Sequence, residues 1–192
     1  MHIRGTSATA ALAIATAAAS VFLVVRPATG LPFVSDHDFD RVESRNKRYF
    51  AIPTAKYKET IVFEKGRKPR ELWRVPGWGS CAYLSNDGEY LVVGYEGVNL
   101  LEPNWKPTTP MLTFFMHGKQ LRVVPLSALI RNFDSLQGTD QKEWGMYQGY
   151  DGLHFAVETV EGRTLTFDIT NGALVDDTPT LILRSRDRSK SR

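Results

Sequence analysis

The chain has 192 residues, of which 42% are hydrophobic and 11% are aromatic. This composition excludes a disordered chain and is typical of one globular domain, while the single cysteine, Cys81, excludes an internal disulfide. The formal net charge of +3 comes from the two ends, since residues 184–192 hold five cations and one anion, so it does not indicate a basic surface for nucleic acid.

Residues 1–30 have the pattern of a secretory signal peptide. Residues 5–25 carry no charge, are rich in alanine and lie between Arg4 and Arg26. A basic start, an apolar segment and then small residues are typical of a signal that directs export. The sequence therefore predicts an exported protein that is periplasmic, secreted or membrane-anchored. Cleavage after Gly30 leaves Leu31 as the first residue; the alternative is an uncleaved anchor through residues 5–25, because about 20 uncharged residues can span a bilayer.

The residues most able to bind a metal do not form a recognisable site. Residues 36–40 read Asp-His-Asp-Phe-Asp, and alternate aspartates are typical of the first half of an EF-hand loop. That loop needs glycine at its sixth position and glutamate at its twelfth, where this chain has Arg41 and Lys47. His117 and His154 have no nearby histidine or cysteine. The sequence predicts no metal and no cofactor.

A pattern recurs three times after the N-terminal segment. Each copy has a turn, an apolar strand, a second strand, a glycine-containing turn and a third strand. The opening turns are residues 46–49, 87–90 and 151–154, and the closing turns contain Gly66, Gly118 and Gly172. Tyr49 and Tyr90 lie 41 residues apart, within the period of about 40–45 residues of four-stranded propeller blades.

One helix is expected between the second and third copies. Apolar residues recur at helical spacing over residues 126–136, Ser127 is placed to cap the start, and Gly138 follows the end. This spacing predicts a short helix inserted into an otherwise β-rich chain.

Two segments resemble β-propeller repeats of the WD40-like and quinoprotein-like kind found in exported bacterial proteins of unassigned function. Residues 84–93, Leu-Ser-Asn-Asp-Gly-Glu-Tyr-Leu-Val-Val, look like the start of a blade, and residues 164–172 look like a third strand with its final hairpin. The resemblance covers roughly residues 42–176. It implies an all-β fold: an antiparallel meander of three propeller-blade-like units, with ten to twelve short strands and one short inserted helix. It implies no activity.

No catalytic motif accompanies the repeats. The sequence has no nucleophile elbow, P-loop or dinucleotide fingerprint. Residues 94–110 form an unusually long link between two strands, and long loops on a rigid scaffold are common binding sites. Tyr95, Glu96 and Trp105 in this link are the predicted binding surface. The alternative is that Trp105 folds back over the sheet edge.

These observations predict an exported, non-catalytic binding or scaffolding protein of the bacterial envelope. Its partner is expected to be an envelope protein or a glycan, and not nucleic acid. The alternative is a carboxylate-dependent hydrolase or lyase on a propeller-like scaffold, with two carboxylates around a concave sheet face.

Residues 31–183 are expected to form a single β-rich repeat domain, and residues 184–192 a basic disordered tail. Three units are fewer than the four to eight blades of a closed propeller. We expect a monomer, because the charged, proline-containing run at 64–70 blunts an edge hairpin. A homodimer that completes a six-unit ring is the alternative.

Overall fold

A computed structural model describes residues 41–54, 58–77 and 82–180. The chain divides into two units, Met1–Leu31 and Pro32–Arg192, and all described residues belong to the second. The predicted signal peptide, the ligand-rich residues 36–40, Cys81 and the basic tail lie outside the described residues.

Three four-stranded antiparallel sheets follow one another along the chain. Sheet 1 contains β1 (Val42–Glu43), β2 (Tyr49–Pro53), β3 (Glu59–Glu64) and β4 (Arg70–Pro76). Sheet 2 contains β5 (Ala82–Leu84), β6 (Tyr90–Gly94), β8 (Pro110–Met116) and β9 (Lys119–Pro125). Sheet 3 contains β11 (Gly145–Asp151), β12 (His154–Thr159), β13 (Arg163–Asp168) and β14 (Leu174–Pro179). The remaining strands, β7 (Leu100–Leu101) and β10 (Lys142–Glu143), pair with each other.

The predicted all-β meander of three blade-like units is confirmed, with a different strand count. The described residues form fourteen strands, three of which have only two residues. A strand of two residues is too short to show an alternating hydrophobic pattern in the sequence. The sequence therefore predicted only ten to twelve strands. Each copy of the repeat also has a fourth strand, which precedes its opening turn.

The inserted helix is much shorter than the predicted span of 126–136. An α-helix, α1, covers only Leu126–Leu129, Ile130 is extended at φ −110°, and a 3₁₀ turn follows at Phe133–Ser135. Ser127 is not the cap, because Pro125 holds that position with no side-chain cap bond. Among the described residues, no helix is long and apolar enough to span a membrane.

Glu161 and Arg163, at the β12–β13 connection of sheet 3, bind backbone groups of residues 129–132. A longer helix would have paired those groups within itself. The N–H groups of Arg131 and Asn132 donate to the Glu161 carboxylate at 3.0 and 2.6 Å. The guanidinium of Arg163 donates to the carbonyl of Leu129 at 2.5 Å. The helix therefore ends where another part of the chain offers better partners, which helical spacing alone cannot reveal.

The opening turns of sheets 1 and 2 are held by the same hydrogen bonds around a buried serine. The hydroxyl of Ser44 accepts from the N–H of Tyr49 at 3.0 Å, and that of Ser85 accepts from the N–H of Tyr90 at 2.9 Å. Both serines are almost completely buried, at 1% and 2% exposure. The two turns are therefore structural copies of one another, 41 residues apart.

A lysine takes the place of glycine in the first of these turns. Lys47 has φ 57° and Gly88 has φ 75°, so both adopt the left-handed conformation. The side chains of Asn46 and Asp87 accept backbone hydrogen bonds at matching positions. The first copy, which matches the others less well in sequence, therefore uses the same turn geometry at a small steric cost.

Sheet 2 packs against sheet 1 with one face and against sheet 3 with the other. Along β6, Leu91 belongs to the cluster shared with sheet 1, and Val92 belongs to the cluster shared with sheet 3. On β8, Phe115 belongs to the cluster shared with sheet 1, and Phe114 belongs to the cluster shared with sheet 3. Because successive side chains of a strand point to opposite faces, both faces of sheet 2 are apolar.

Closing glycines make the contacts between neighbouring sheets. A Cβ on Gly118, in the β8–β9 turn, would lie 2.7 Å from the carbonyl oxygen of Arg74 on β4. A Cβ on Gly172, in the β13–β14 turn, would lie 2.8 Å from Cβ of Arg122 on β9. The same turn of each sheet thus rests on the fourth strand of the preceding sheet, and a side chain there would separate them.

The fourth strand of every sheet ends in proline. Pro76, Pro125 and Pro179 are the last residues of β4, β9 and β14. These strands are the edges of their sheets, where a proline loses no ladder hydrogen bond. The prolines and nearby charges disfavour pairing with another chain, which is consistent with the expected monomer.

The connections divide between two ends of the sheets, because antiparallel strands reverse direction at each turn. At one end, the turn end, the described connections are short; the other, the loop end, has two long connections as well as the short connection 160–162. The described turn-end connections are 44–48, 65–69, 85–89, 117–118, 152–153 and 169–173, and the long loop-end connections are 95–109 and 126–144.

The buried serines provide a test of the repeated turn. Ser44→Ala and Ser85→Ala should each lower the free energy of unfolding by about 2 kcal/mol, because each leaves buried polar groups unpaired. Denaturant unfolding measures this change. Ser127→Ala is the control, since Ser127 is exposed, and it should have little effect. Equal effects of all three would show that the turns do not depend on these hydroxyls.

Candidate binding surface at the loop end

The two long loop-end connections are joined to each other. β7 lies in the first connection and β10 in the second, with Leu100 opposite Glu143 and Leu101 opposite Lys142. Gln137 forms an isolated bridge to Glu143 on the other side of β10. The connections therefore form one small ribbon that links sheet 2 to sheet 3.

A buried tryptophan fixes this ribbon to the core. Trp144 is completely buried; its Nε1–H donates to the carbonyl of Val98 at 2.8 Å, and its backbone N–H donates to the carbonyl of Asn99 at 3.1 Å. Its ring packs edge-on against Tyr147, with centroids 5.3 Å apart. Burial of such a large side chain with its N–H paired makes Trp144 the main anchor of the loop end.

Val98 is held in an unfavourable backbone conformation at the tip of the first connection. Its φ is 58°, in the left-handed region that β-branched residues rarely adopt. The N–H of Val98 donates to the carbonyl of Tyr95 at 3.0 Å, while Trp144 binds its carbonyl. These bonds maintain the strain and present the valine side chain, which is 40% exposed, to solvent.

The three residues predicted as a binding surface all lie on this connection, in different environments. Tyr95 is half-buried: its N–H donates to the Tyr147 hydroxyl at 2.6 Å, and its own hydroxyl accepts from the N–H of Glu102 at 3.1 Å. Trp105 is half-buried against the core and packs on Phe133, with ring centroids 5.5 Å apart. Glu96 is exposed. Tyr95 and Trp105 therefore support the loop, and a binding role for the three residues stays a prediction.

Three apolar side chains near the ribbon are exposed, and we call them the loop-end patch: Val98, Leu100 and Met146. Their exposures are 40%, 37% and 49%. The pairing of Leu100 with Glu143 and the bond from Trp144 to Asn99 run antiparallel. Trp144, which also binds the carbonyl of Val98, is the residue before β11, and Met146 is the second residue of that strand.

Carboxylates predominate around the loop-end patch. On the segments that carry it, residues 95–104 and 137–146, there are four carboxylates and one lysine. The Nζ of that lysine, Lys142, donates to the carbonyl of Gly138 at 2.6 Å. The surroundings of the patch are therefore acidic; the four carboxylates are Glu96, Glu102, Asp140 and Glu143.

A second polar cluster fixes the insert to sheet 3. Arg163 contacts Glu161 at 2.9 Å and Asp177 at 2.9 Å, and Arg131 contacts Asp177 at 2.6 Å. Burial acts to raise the pKa of the Glu161 carboxyl, but the N–H bonds from Arg131 and Asn132 and the Arg163 guanidinium outweigh it and lower that pKa. These ion pairs therefore hold the insert against sheet 3, and a carboxyl with a lowered pKa does not suit proton donation.

The described histidines lie at the turn end, away from the loop-end patch. Nε2 of His117 is 3.8 Å from Glu89. His154 is paired in register with Asp168. Burial acts to raise the pKa of Asp168, but hydrogen bonds from Thr170 and the other donors of its turn prevail and lower it. Within the part of the chain that the structure describes, no three His, Cys, Asp or Glu residues are placed to hold a metal.

Sequence reasoning identified the long connection 95–109 but not the exposed apolar residues on and beside it. The correspondence between the Trp-Gly pairs at 78–79 and 144–145 marks Trp144 as a repeated structural position. The apolar pair Leu100-Leu101 inside a polar link was the available signal for β7. Nothing in the sequence showed that Trp144 binds Val98 and Asn99, because those contacts depend on the ribbon.

No protein-family model and no curated protein sequence matches the chain. Solved structures with a similar fold include BamB from Moraxella catarrhalis, at 14% identity and a TM-score of 0.43, with 72% of this chain and 35% of that chain covered. The complex of KlAtg21 with the coiled coil of AgAtg16 gives 12% identity and a TM-score of 0.45, over 72% and 41%. The C-terminal WD40 domain of Sif2 gives 14% and 0.37, over 72% and 36%.

This chain thus spans well under half of the length of those chains. The assignment of the fold rests on its own three sheets. Each is a four-stranded antiparallel meander, and the closing turns of sheets 2 and 3 pack on the sheet before them. The chain is therefore built of β-propeller-type blades.

The strain at Val98 is testable by comparison with a second exposed valine. Val98→Gly should raise the free energy of unfolding by up to about 1 kcal/mol, because glycine adopts positive φ without steric cost. Val123→Gly, on β9 at 37% exposure, should lower it by about 1 kcal/mol, because glycine weakens a strand. Denaturant unfolding distinguishes the two, and equal losses would contradict the strain.

The Glu161 cluster predicts a pH-dependent stability. Because the pKa of Glu161 is lower in the folded state than in the unfolded chain, its stabilisation is complete above about pH 4.3 and is lost as pH falls through the lowered folded value. Glu161→Gln should cost about 2 kcal/mol at pH 7. The difference between the two proteins in urea unfolding should shrink towards pH 3, and a constant difference would contradict the prediction.

Proposed function

We propose that this chain is an exported, non-catalytic binding module that engages a protein partner through the loop-end patch. The observation that carries the proposal is the exposure of Val98, Leu100 and Met146 on a ribbon that is anchored by a buried tryptophan. Exposed apolar side chains on a rigid support lose little conformational entropy on binding, which favours association.

The contrast between the two ends of the sheets supports this choice of surface. At the turn end, the connections are short and closed by their own backbone and side-chain hydrogen bonds. At the loop end, two long connections cooperate in one ribbon. Long loops on a rigid scaffold are where binding residues concentrate.

A protein partner fits better than a glycan. Sugar rings are commonly held against exposed aromatic faces, and the aromatic residues of this loop, Tyr95 and Trp105, are half-buried in packing contacts. The side chains that face solvent are aliphatic or sulfur-containing, with carboxylates around them. We propose Glu96 as part of this rim, with Tyr95 and Trp105 as its support.

The enzymatic alternative has less support. A glycosidase-type mechanism needs a carboxylic acid whose pKa is raised so that it can donate a proton. The pKa values of Glu161 and Asp168 are lowered by the hydrogen bonds they accept, so neither carboxyl suits that role. Export to the envelope rests on the sequence of residues 5–25.

Two exposed leucines at opposite ends of the sheets provide a matched test. Leu100→Asp adds a charge to the loop-end patch, and Leu153→Asp adds one at the turn end, where Leu153 is 51% exposed. Each full-length variant is immobilised and exposed to bacterial envelope extract. Proteins captured by the wild type should be retained by Leu153→Asp and reduced at least tenfold by Leu100→Asp, because a buried unpaired charge costs more than 1.4 kcal/mol.

The opposite result would contradict the choice of surface. If Leu153→Asp abolishes capture and Leu100→Asp does not, binding occurs at the turn end. Circular dichroism of both variants confirms that the sheets are intact, since both positions are exposed and neither lies in a core cluster.

A further inference from the structure

We propose that the turn end of sheet 1 binds an anionic phospholipid surface. The binding surface consists of the turns 44–48 and 65–69 together with Arg70, and we call it the basic turn surface. Three features support the proposal: the uneven division of charge along the chain, the exposure and proximity of the cations on these two turns, and the geometry of the surface. The proposal does not depend on the loop-end patch.

Charge is divided unevenly between sheet 1 and the rest of the described chain. Residues 41–54 and 58–77, which contain sheet 1, hold ten cations and four carboxylates. Residues 82–180, which contain sheets 2 and 3, hold six cations and thirteen carboxylates. The small net charge of the whole chain therefore conceals a positive sheet 1. A charge distribution of this kind orients a protein as it approaches an anionic partner.

The two turns of the basic turn surface are in contact with each other. The N–H of Lys65 donates to the carbonyl of Arg48 at 2.7 Å. Glu64, at the end of β3, lies 3.8 Å from the guanidinium of Arg48 and 2.5 Å from that of Arg70. The cations therefore lie on one continuous surface and not at separate sites.

Seven cations on this surface are exposed, and two carboxylates, Glu43 and Glu64, pair with some of them. Arg48 and Arg70 keep side-chain exposures of 66% and 70% in their contacts with Glu64. Most of the positive charge is therefore available to an external anion. The cations in ion pairs are Arg48, Lys65 and Arg70, and those without an ion pair among the described residues are Arg45, Lys47, Arg67 and Lys68.

The basic turn surface ends where sheet 2 begins. The backbone N–H and the side-chain amide of Asn46 donate to Asn86 at 2.9 and 2.7 Å, so the opening turns of sheets 1 and 2 lie side by side. The turn of sheet 2 carries Asp87 and Glu89. These carboxylates confine the positive surface to the end of sheet 1, so that an anionic plane meets sheet 1 first.

The geometry favours a lipid surface over nucleic acid. The cations lie on tight turns at the end of a sheet, where several can face a plane of phosphate headgroups at once. Single-stranded nucleic acid is instead held in grooves in which bases stack on aromatic rings. The aromatic residue of this surface, Tyr49, is half-buried against the core, and a Cβ on Gly88 would lie 2.5 Å from its ring. Its ring is therefore not available as a stacking platform.

Binding at this surface leaves the loop end accessible. The turn end and the loop end are opposite ends of the sheets. A chain held on lipid by the basic turn surface presents its long connections, 95–109 and 126–144, on the side away from the membrane. The predicted export, which rests on residues 5–25, also brings the chain to a membrane surface.

Vesicle sedimentation tests the proposal with the full-length chain. The partition coefficient is measured on vesicles of phosphatidylcholine alone and on vesicles with about 30% phosphatidylglycerol, which supplies the anionic headgroups. The ratio of the two coefficients isolates the electrostatic contribution, because the apolar residues 5–25 carry no charge.

Two combined variants with the same change in charge are compared with the wild type. Each replaces two lysines and one arginine, all exposed, by glutamine. Both variants keep the basic residues 184–192, so a difference between them depends on position alone. The test variant is Lys47→Gln, Arg67→Gln and Lys68→Gln, and the control on sheet 2 and its long connection is Lys106→Gln, Lys119→Gln and Arg122→Gln.

The wild type should prefer the anionic vesicles, and this preference should fall as the salt concentration rises. Each basic residue near an anionic membrane surface contributes a factor of about five to binding. The test variant should therefore lower the ratio about a hundredfold, whereas the control should leave it nearly unchanged. Circular dichroism of both variants confirms that the sheets are intact.

Three outcomes would overturn the proposal. Equal partition of the wild type onto both kinds of vesicle would show that the surface does not bind anionic lipid. Equal losses in the test variant and the control would show a response to net charge and not to this surface. The third outcome comes from fluorescence anisotropy with a single-stranded oligonucleotide. Oligonucleotide binding that is lost in the test variant, while its vesicle ratio stays at the wild-type value, would assign the surface to nucleic acid.

Discussion

The structure depends on the fact that sheet 2 is apolar on both faces. Leu91 and Val92 are adjacent on β6, both are almost fully buried, and they belong to different core clusters. A sheet of this kind cannot be stable with either face in water, because each buried side chain would lose about 2 kcal/mol of burial. It must lie between two other sheets, and sheets 1 and 3 fill those positions.

Sheets 1 and 3 differ in the residues on the face that points away from sheet 2. The face of sheet 3 that points away from sheet 2 holds polar side chains, among them Glu158, Thr164 and Thr166. Polar outer faces are typical of terminal repeats, which have no further repeat to pack against. On sheet 1, Phe50, Ile61 and Phe63 alternate with the residues that face sheet 2, and all three are buried.

The same packing also distinguishes the two ends of the sheets. Short turns at one end are fixed by buried serine hydroxyls and by glycines that allow close approach of the next sheet. At the other end, the connections 95–109 and 126–144 are long and pair with each other through β7 and β10. Trp144, in the second connection, donates a hydrogen bond to the carbonyl of Val98 in the first and so joins the two in one ribbon. The hydrogen bond from Trp144 to the carbonyl of Val98 also helps to hold the unfavourable φ of that residue.

The sequence by itself determined the repeat, because turn glycines, apolar alternation and the 41-residue spacing of Tyr49 and Tyr90 are local properties of the chain. It also located the long connection between β6 and β8. Only the tertiary structure decided the length of α1 and the composition of the loop-end patch. The helix ends because Glu161 and Arg163, more than thirty residues away, bind its last backbone groups. Trp144 meets Val98 only because the two connections pair through β7 and β10. Both outcomes depend on contacts between distant segments, which no local pattern encodes.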